Sequence, residues 1–175
     1  MRSSSLLWLG VGVSLGCQPN TGRPIFNPLP ESAGTEIRLS PREATRQLAE
    51  ALRADSVPVR KLLLRDAYLE TGWFDPKTGR PRSNPMGQGA VRVRAWADPA
   101  RPGSTVLSVE TVYRPLADPS LPERELERQV PAKHPVAVKV DSVLQRMVKR
   151  FGGPPPPAAA PAPGSPPPAG PPDDQ

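Results

Sequence analysis

Twenty-seven of the 175 residues are proline, roughly three times the usual share, and aromatics make up only 5%. The formal charge is +6, and one cysteine and one histidine exclude a disulfide framework and leave little for a zinc site. Prolines crowd into residues 17–34 and 152–175, so packing falls to residues 35–151, one ordinary domain. That is too little for a doubly wound cofactor fold with a substrate domain, and no cofactor is expected.

Residues 1–16 carry Arg2 and three serines, then an apolar stretch from Leu6 to Leu15, then Gly16 before Cys17. A charged start, a short apolar run and a small residue before the cut make an export signal. The run is about half of what spanning a bilayer requires. Its end, Val13-Ser14-Leu15-Gly16-Cys17, resembles the lipobox of bacterial lipoproteins, with Ser14 where that family usually has leucine. The resemblance implies that Cys17 receives a diacylglycerol and becomes the new N-terminus. It also implies an anchored protein of the bacterial envelope, at the outer membrane facing the periplasm. A secretory signal with a chance cysteine is the alternative, but a free thiol in an oxidising compartment is a liability.

Residues 17–34 hold four prolines and neither helical nor alternating period. They predict an extended tether that could hold the domain up to ~55 Å from the membrane. Its one bulky apolar pair, Ile25-Phe26, either docks on the domain or contacts a partner. Residues 152–175 hold no apolar side chain larger than alanine apart from proline. They predict a disordered tail of polyproline-II character, a spacer or a ligand for a groove-type partner.

Between these ends, Thr35–Leu39 predicts a short strand. Ser40-Pro41-Arg42-Glu43 is a capping box with proline at the first helical position, and Ala44, Leu48, Ala51 and Leu52 continue at helical spacing. A helix over Pro41–Ala54 follows. After Pro58, Ala67, Leu69, Thr71 and Trp73 alternate with Asp66, Tyr68 and Glu70, a strand period. Strands Ala90–Ala97 and Ser104–Arg114 follow, joined by a short Pro/Gly turn that predicts an antiparallel hairpin. Ser120-Leu-Pro-Glu123 offers a second capping box before a charged turn through Arg128. Val136, Val140, Val143, Leu144, Met147 and Phe151 make a closing helix over Pro135–Arg150. The order β-α-β-β-β-α is α+β, a small antiparallel sheet with two helices on one face.

The lipobox, the proline-bearing tether and the run Tyr68-Leu69-Glu70-Thr71-Gly72-Trp73-Phe74, followed by Arg92, Arg94 and the Thr105–Val112 strand, resemble the BamC family. These are accessory lipoproteins of the outer-membrane β-barrel assembly machinery. The resemblance covers residues 60–151. It implies a helix-grip fold and a non-catalytic binding or assembly role in an envelope protein complex.

No enzyme constellation emerges. His134 sits in a Lys-His-Pro turn, Asp75-Pro-Lys-Thr-Gly79 is turn chemistry, and Glu123–Arg128 alternates charge as a solvated face does. Between Asp75 and Asp98 stand Lys77, Arg80, Arg82, Arg92 and Arg94 with no acid. Arg92, Arg94 and Trp96 share one strand face. Buried arginines need partners, so this face is expected to be the one the helices leave open. With Arg80 and Arg82 it forms the candidate surface for an anionic partner: lipid headgroup, polysaccharide or acidic protein. Export makes nucleic acid an unlikely partner despite the high pI.

Overall fold

Serine before proline opens α1 (Pro41–Ala54) as the sequence demands: the Ser40 hydroxyl accepts from the Glu43 amide at 3.4 Å, and Pro41 fills the first turn. The Glu43 carboxylate binds Arg46 and Gln47. The chain is described by a computed structural model over residues 22–25 and 27–152. The signal residues 1–16, Cys17 and the tail from residue 153 lie outside the described residues.

In chain order the elements are β1 (Ala33–Ile37), α1, β2 (Lys61–Leu63), β3 (Tyr68–Glu70), β4 (Gly87–Pro99), β5 (Thr105–Arg114), α2 (Glu123–Leu126), β6 (Arg128–Gln129) and α3 (Pro135–Phe151). The strands form one antiparallel sheet in the order β1-β5-β4-β3-β2, with β6 also on β5. β1 pairs with residues 105–109 of β5, and β6 with Val112 and Tyr113, so the two share one edge. This is an α+β fold. No described helix is long and apolar enough to cross a membrane.

Alternation in β4 and β5 separates the two faces. Val91, Val93, Ala95 and Ala97 of β4 and Leu107 and Val109 of β5 join Leu69 on one side. Leu48 and Leu52 of α1 and Val140, Val143 and Met147 of α3 close over them. Each such side chain contributes about 1.5–3 kcal/mol on full burial. This single core holds α1 and α3 against the sheet.

Four expectations change. The strand foreseen around Ala67–Trp73 is half of a hairpin, because Ala67 takes a left-handed φ of 48° and turns the chain between β2 and β3. With β6 added, the order becomes β-α-β-β-β-β-α-β-α. Ser120 caps nothing: its hydroxyl donates to Asp118, and α2 starts at Glu123 after Pro122, which offers no side-chain cap.

The fourth change concerns the tether. Residues 22–25 and 27–32 are docked on the domain as a strap, and Phe26 of the apolar pair lies outside the described residues. The Gly22 amide donates to Asp66 at 2.8 Å, Lys61 Nζ donates to the Gly22 carbonyl, and Arg23 makes two bonds to Asp98. Further on, the Leu29 amide donates to Glu110 and Arg124 donates to the Asn27 carbonyl. Charged partners on β4, β5 and α2 make a proline-rich segment adhere that has no secondary-structure period of its own. Ile25 itself is 94% exposed.

Candidate functional site

Opposite the helices, the sheet carries a row of charges in register. Lys61 stands across from Glu70, Glu70 from Arg94, and Arg94 from Glu110. Opposite charges alternate across four strands, the arrangement in which cross-strand pairs attract. Beside this row, Tyr68 faces Trp96, with ring centroids 5.8 Å apart, and the Tyr68 hydroxyl donates to Glu70 at 2.9 Å.

The row is covered. From Arg114 the chain crosses the sheet, forms α2 and returns to pair as β6 on β5. That path sets Glu123, Arg124 and Glu127 over the charged face. Arg94 donates to Glu127 through both terminal nitrogens, at 2.5 and 2.6 Å. Arg124 grips Glu110 in the same two-pronged way, at 2.6 Å for each contact. Arg92 reaches Glu70, Glu123 and Glu127 at 3.3 Å each, and its guanidinium lies 4.3 Å from the centre of the Trp73 ring. Trp73 Nε1 and Arg114 both donate to Glu123.

Four carboxylates thus meet four guanidinium groups, and the cluster is charge-balanced. Glu110 and Glu127 are fully buried and Arg94 nearly so. Burial opposes the Arg94 charge, but the Glu127 hydrogen bonds and charge outweigh it and hold its pKa above the ordinary arginine value. Burial, reinforced by the adjacent Glu70 charge, pushes the Tyr68 phenol up. Burial likewise opposes ionisation of Glu123, yet donation from Trp73 and the Arg92 charge bring its carboxyl below the usual range. Every carboxylate in the cluster already receives N–H or O–H donors, so this is a closed electrostatic lock between sheet, α2 and strap.

The expectation of an open basic face is therefore corrected. Arg94 is 5% exposed and Trp96 is fully buried. Arg92, Arg94 and Trp96 do share a strand face, but glutamates on β3, β5 and α2 neutralise it, and the return of the chain covers it. Glu123–Arg128, read as a solvated face, supplies two of those acids, Glu123 and Glu127. Arg80 and Arg82 lie exposed in the loop between β3 and β4, outside the cluster. The signal available in sequence was Glu110, a lone acid among valines and threonines in mid-strand. A strand glutamate in that setting demands a buried base.

Two smaller sites have defined roles. His134 is the N-cap of α3: its Nδ1 accepts from the Val136 amide at 3.2 Å, and its ring also hydrogen-bonds the Gln88 backbone. Asp75 ties its own turn by accepting from the Lys77 and Thr78 amides. A groove of about 500 Å³ opens between β1, β6 and α3, rimmed by Glu31, Arg128 and Asp141. In its wall, Gln129 Oε1 is buried without a hydrogen-bond partner among the described residues.

No family model matches the chain, and no curated protein matches it.

Proposed function

We propose that this chain is a lipid-anchored protein of the bacterial envelope, held at Cys17, whose domain is a non-catalytic binding or assembly module facing the periplasm. The observation that carries the reading is the strap. The residues just beyond the cysteine are built into the domain by the Gly22–Asp66 and Arg23–Asp98 contacts. An anchor at Cys17 would thus be an anchor on the folded domain itself. The residues between Cys17 and Gly22 reach ~17 Å at most, well short of the ~55 Å of an undocked tether.

Within that reading, an accessory role in outer-membrane β-barrel assembly, on a helix-grip-like domain, is the finer proposal. It is supported by the adjacency of β3, the arginine-bearing β4 and the Thr/Val-rich β5, in the order the BamC resemblance implies. The arginines of β4 would then serve the lock and not a partner.

Two measurements test this. A clickable fatty acid should label the wild-type chain in cells, and equal label in Cys17→Ser sinks the anchor. Extraction in mild detergent should co-purify barrel-assembly components. A clean monomer that turns over an envelope substrate overturns the binding-module reading.

A further inference from the structure

The strap, the β2–β3 turn, the β4–β5 turn, the start of α1 and the end of α3 all meet at one end of the domain. The register shows this: Ile37 faces Thr105, Thr105 faces Pro99, and the Ala97 amide donates to Ala67 in the β2–β3 turn. The Arg38 amide donates to the Phe151 carbonyl, bringing the last turn of α3 to the same edge, and Thr105 Oγ1 donates to the Leu39 carbonyl just before α1. The N-terminal segment joins the domain here, at Gly22 and Arg23.

This end is rich in exposed bases: Arg38, Arg42, Arg65, Arg101, Lys149 and Arg150. The nearby acids are engaged. Asp66 accepts from Gly22, Asp98 bridges Arg23, Glu43 bridges Arg46, and Glu36 takes Arg101 and Ser104. Arg42, Arg65 and Lys149 are therefore exposed positive charges around the point where the chain leaves toward Cys17.

We infer that this basic end of the domain is a seat for anionic lipid headgroups, so the domain stands end-on on its membrane. The inference rests on the anchor proposed at Cys17 and adds to it an orientation and a contact surface. The chain from Cys17 to Gly22 can span no more than ~17 Å, against a Debye length of about 8 Å in physiological salt. The bases are thus held within reach of the headgroup field, where each contributes about 1 kcal/mol near an anionic surface. The opposite end, with the β3–β4 loop that carries Arg80 and Arg82, stands about 40 Å away along β4. It would project into the compartment.

Two reporters test the orientation on the processed, lipidated full chain. With Cys17 acylated, Pro102→Cys at the basic end and Asn84→Cys in the distal loop each supply a single thiol for a fluorophore. In vesicles of phosphatidylglycerol and phosphatidylcholine with a headgroup-attached quencher, the Pro102 position should be quenched strongly and the Asn84 position weakly. The triple variant Arg42→Gln/Arg65→Gln/Lys149→Gln, or high salt, should reduce that difference. Equal quenching at both positions, or a difference indifferent to the variant and to salt, overturns the seat. The unanchored Cys17→Ser chain separates this from the anchor itself. Its sedimentation with the same vesicles should fall about tenfold or more in the triple variant, and unchanged sedimentation counts against the seat. Fatty-acid labelling of the wild type reports on the anchor alone.

Discussion

Arg94 and Glu127 lie 33 residues apart and bind each other through two parallel hydrogen bonds, with both side chains out of solvent. The pair joins the centre of the sheet to the segment that crosses over it. Removing one member of such a pair leaves a buried charge exposed to low dielectric, a loss of about 3–5 kcal/mol. Arg94→Gln and Glu127→Gln should each lower the unfolding free energy obtained from urea titration by an amount in that range. Arg80→Gln and Arg82→Gln, on exposed loop side chains, should change stability by less than about 0.5 kcal/mol. Equal effects from the two sets would remove the lock from this account.

The strap gives a second expectation. Its fixed points at Asp98 and Glu110 lie on either side of the Trp96–Ser108 level of the sheet. Freeing it should let solvent reach Trp96. In a protein beginning at Gln18 and carrying Trp73→Phe, Trp96 is the sole tryptophan. Arg23→Ala, which removes the bridge to Asp98 and leaves the buried cluster intact, should raise its quenching by acrylamide roughly twofold through local opening, with the domain still folded. If quenching stays as in the parent while the Arg23–Asp98 bridge is gone, the strap is not what encloses this face.

Much of the fold was legible because it follows from local chemistry. Ser40-Pro41 fixed the start of α1, the valine and leucine spacing marked α3, and strict alternation marked β4 and β5. The charged face was misread for a physical reason: a strand with two arginines looks solvent-exposed until its acids are found. Those acids come from β3, β5 and α2, and only tertiary structure brings Glu127 over Arg94. The strap was hidden likewise, since its sequence has no period and it adheres through long-range contacts such as Arg23–Asp98 and Leu29–Glu110. The Ala67 turn was missed because alanine seldom adopts positive φ.

Tyr68 should titrate abnormally. Burial and the Glu70 charge raise its pKa above the ordinary value of 10.0. The unfolded chain therefore loses this proton more readily than the native one. The contribution of Tyr68 is present below about pH 10 and falls as pH rises beyond it. Absorbance near 295 nm, taken as the difference between wild type and Tyr68→Phe, should show no phenolate at pH 10 in the native state. A normal transition there would contradict the burial and the bond to Glu70.

His134 makes the opposite case at mild acidity. Its pKa is lowered from 6.5, chiefly by partial burial, while its bond to the Gln88 backbone pulls the other way. The cap geometry agrees in sign, because Nδ1 must remain unprotonated to accept the Val136 amide, and a cation is disfavoured at a helix N-terminus. With the folded pKa below the unfolded one, the unfolded chain binds more protons across the interval between them. The stability due to this cap is fully present above about pH 6.5 and falls as pH drops through that interval. As the only histidine in the chain, its ring protons can be followed singly by NMR. Their midpoint should lie below 6.5 in the native state, and His134→Asn, which can cap without titrating, should flatten the pH dependence of unfolding between pH 5 and 7. A midpoint at or above 6.5 would mean that the ring neither caps α3 nor sits against β4 in solution.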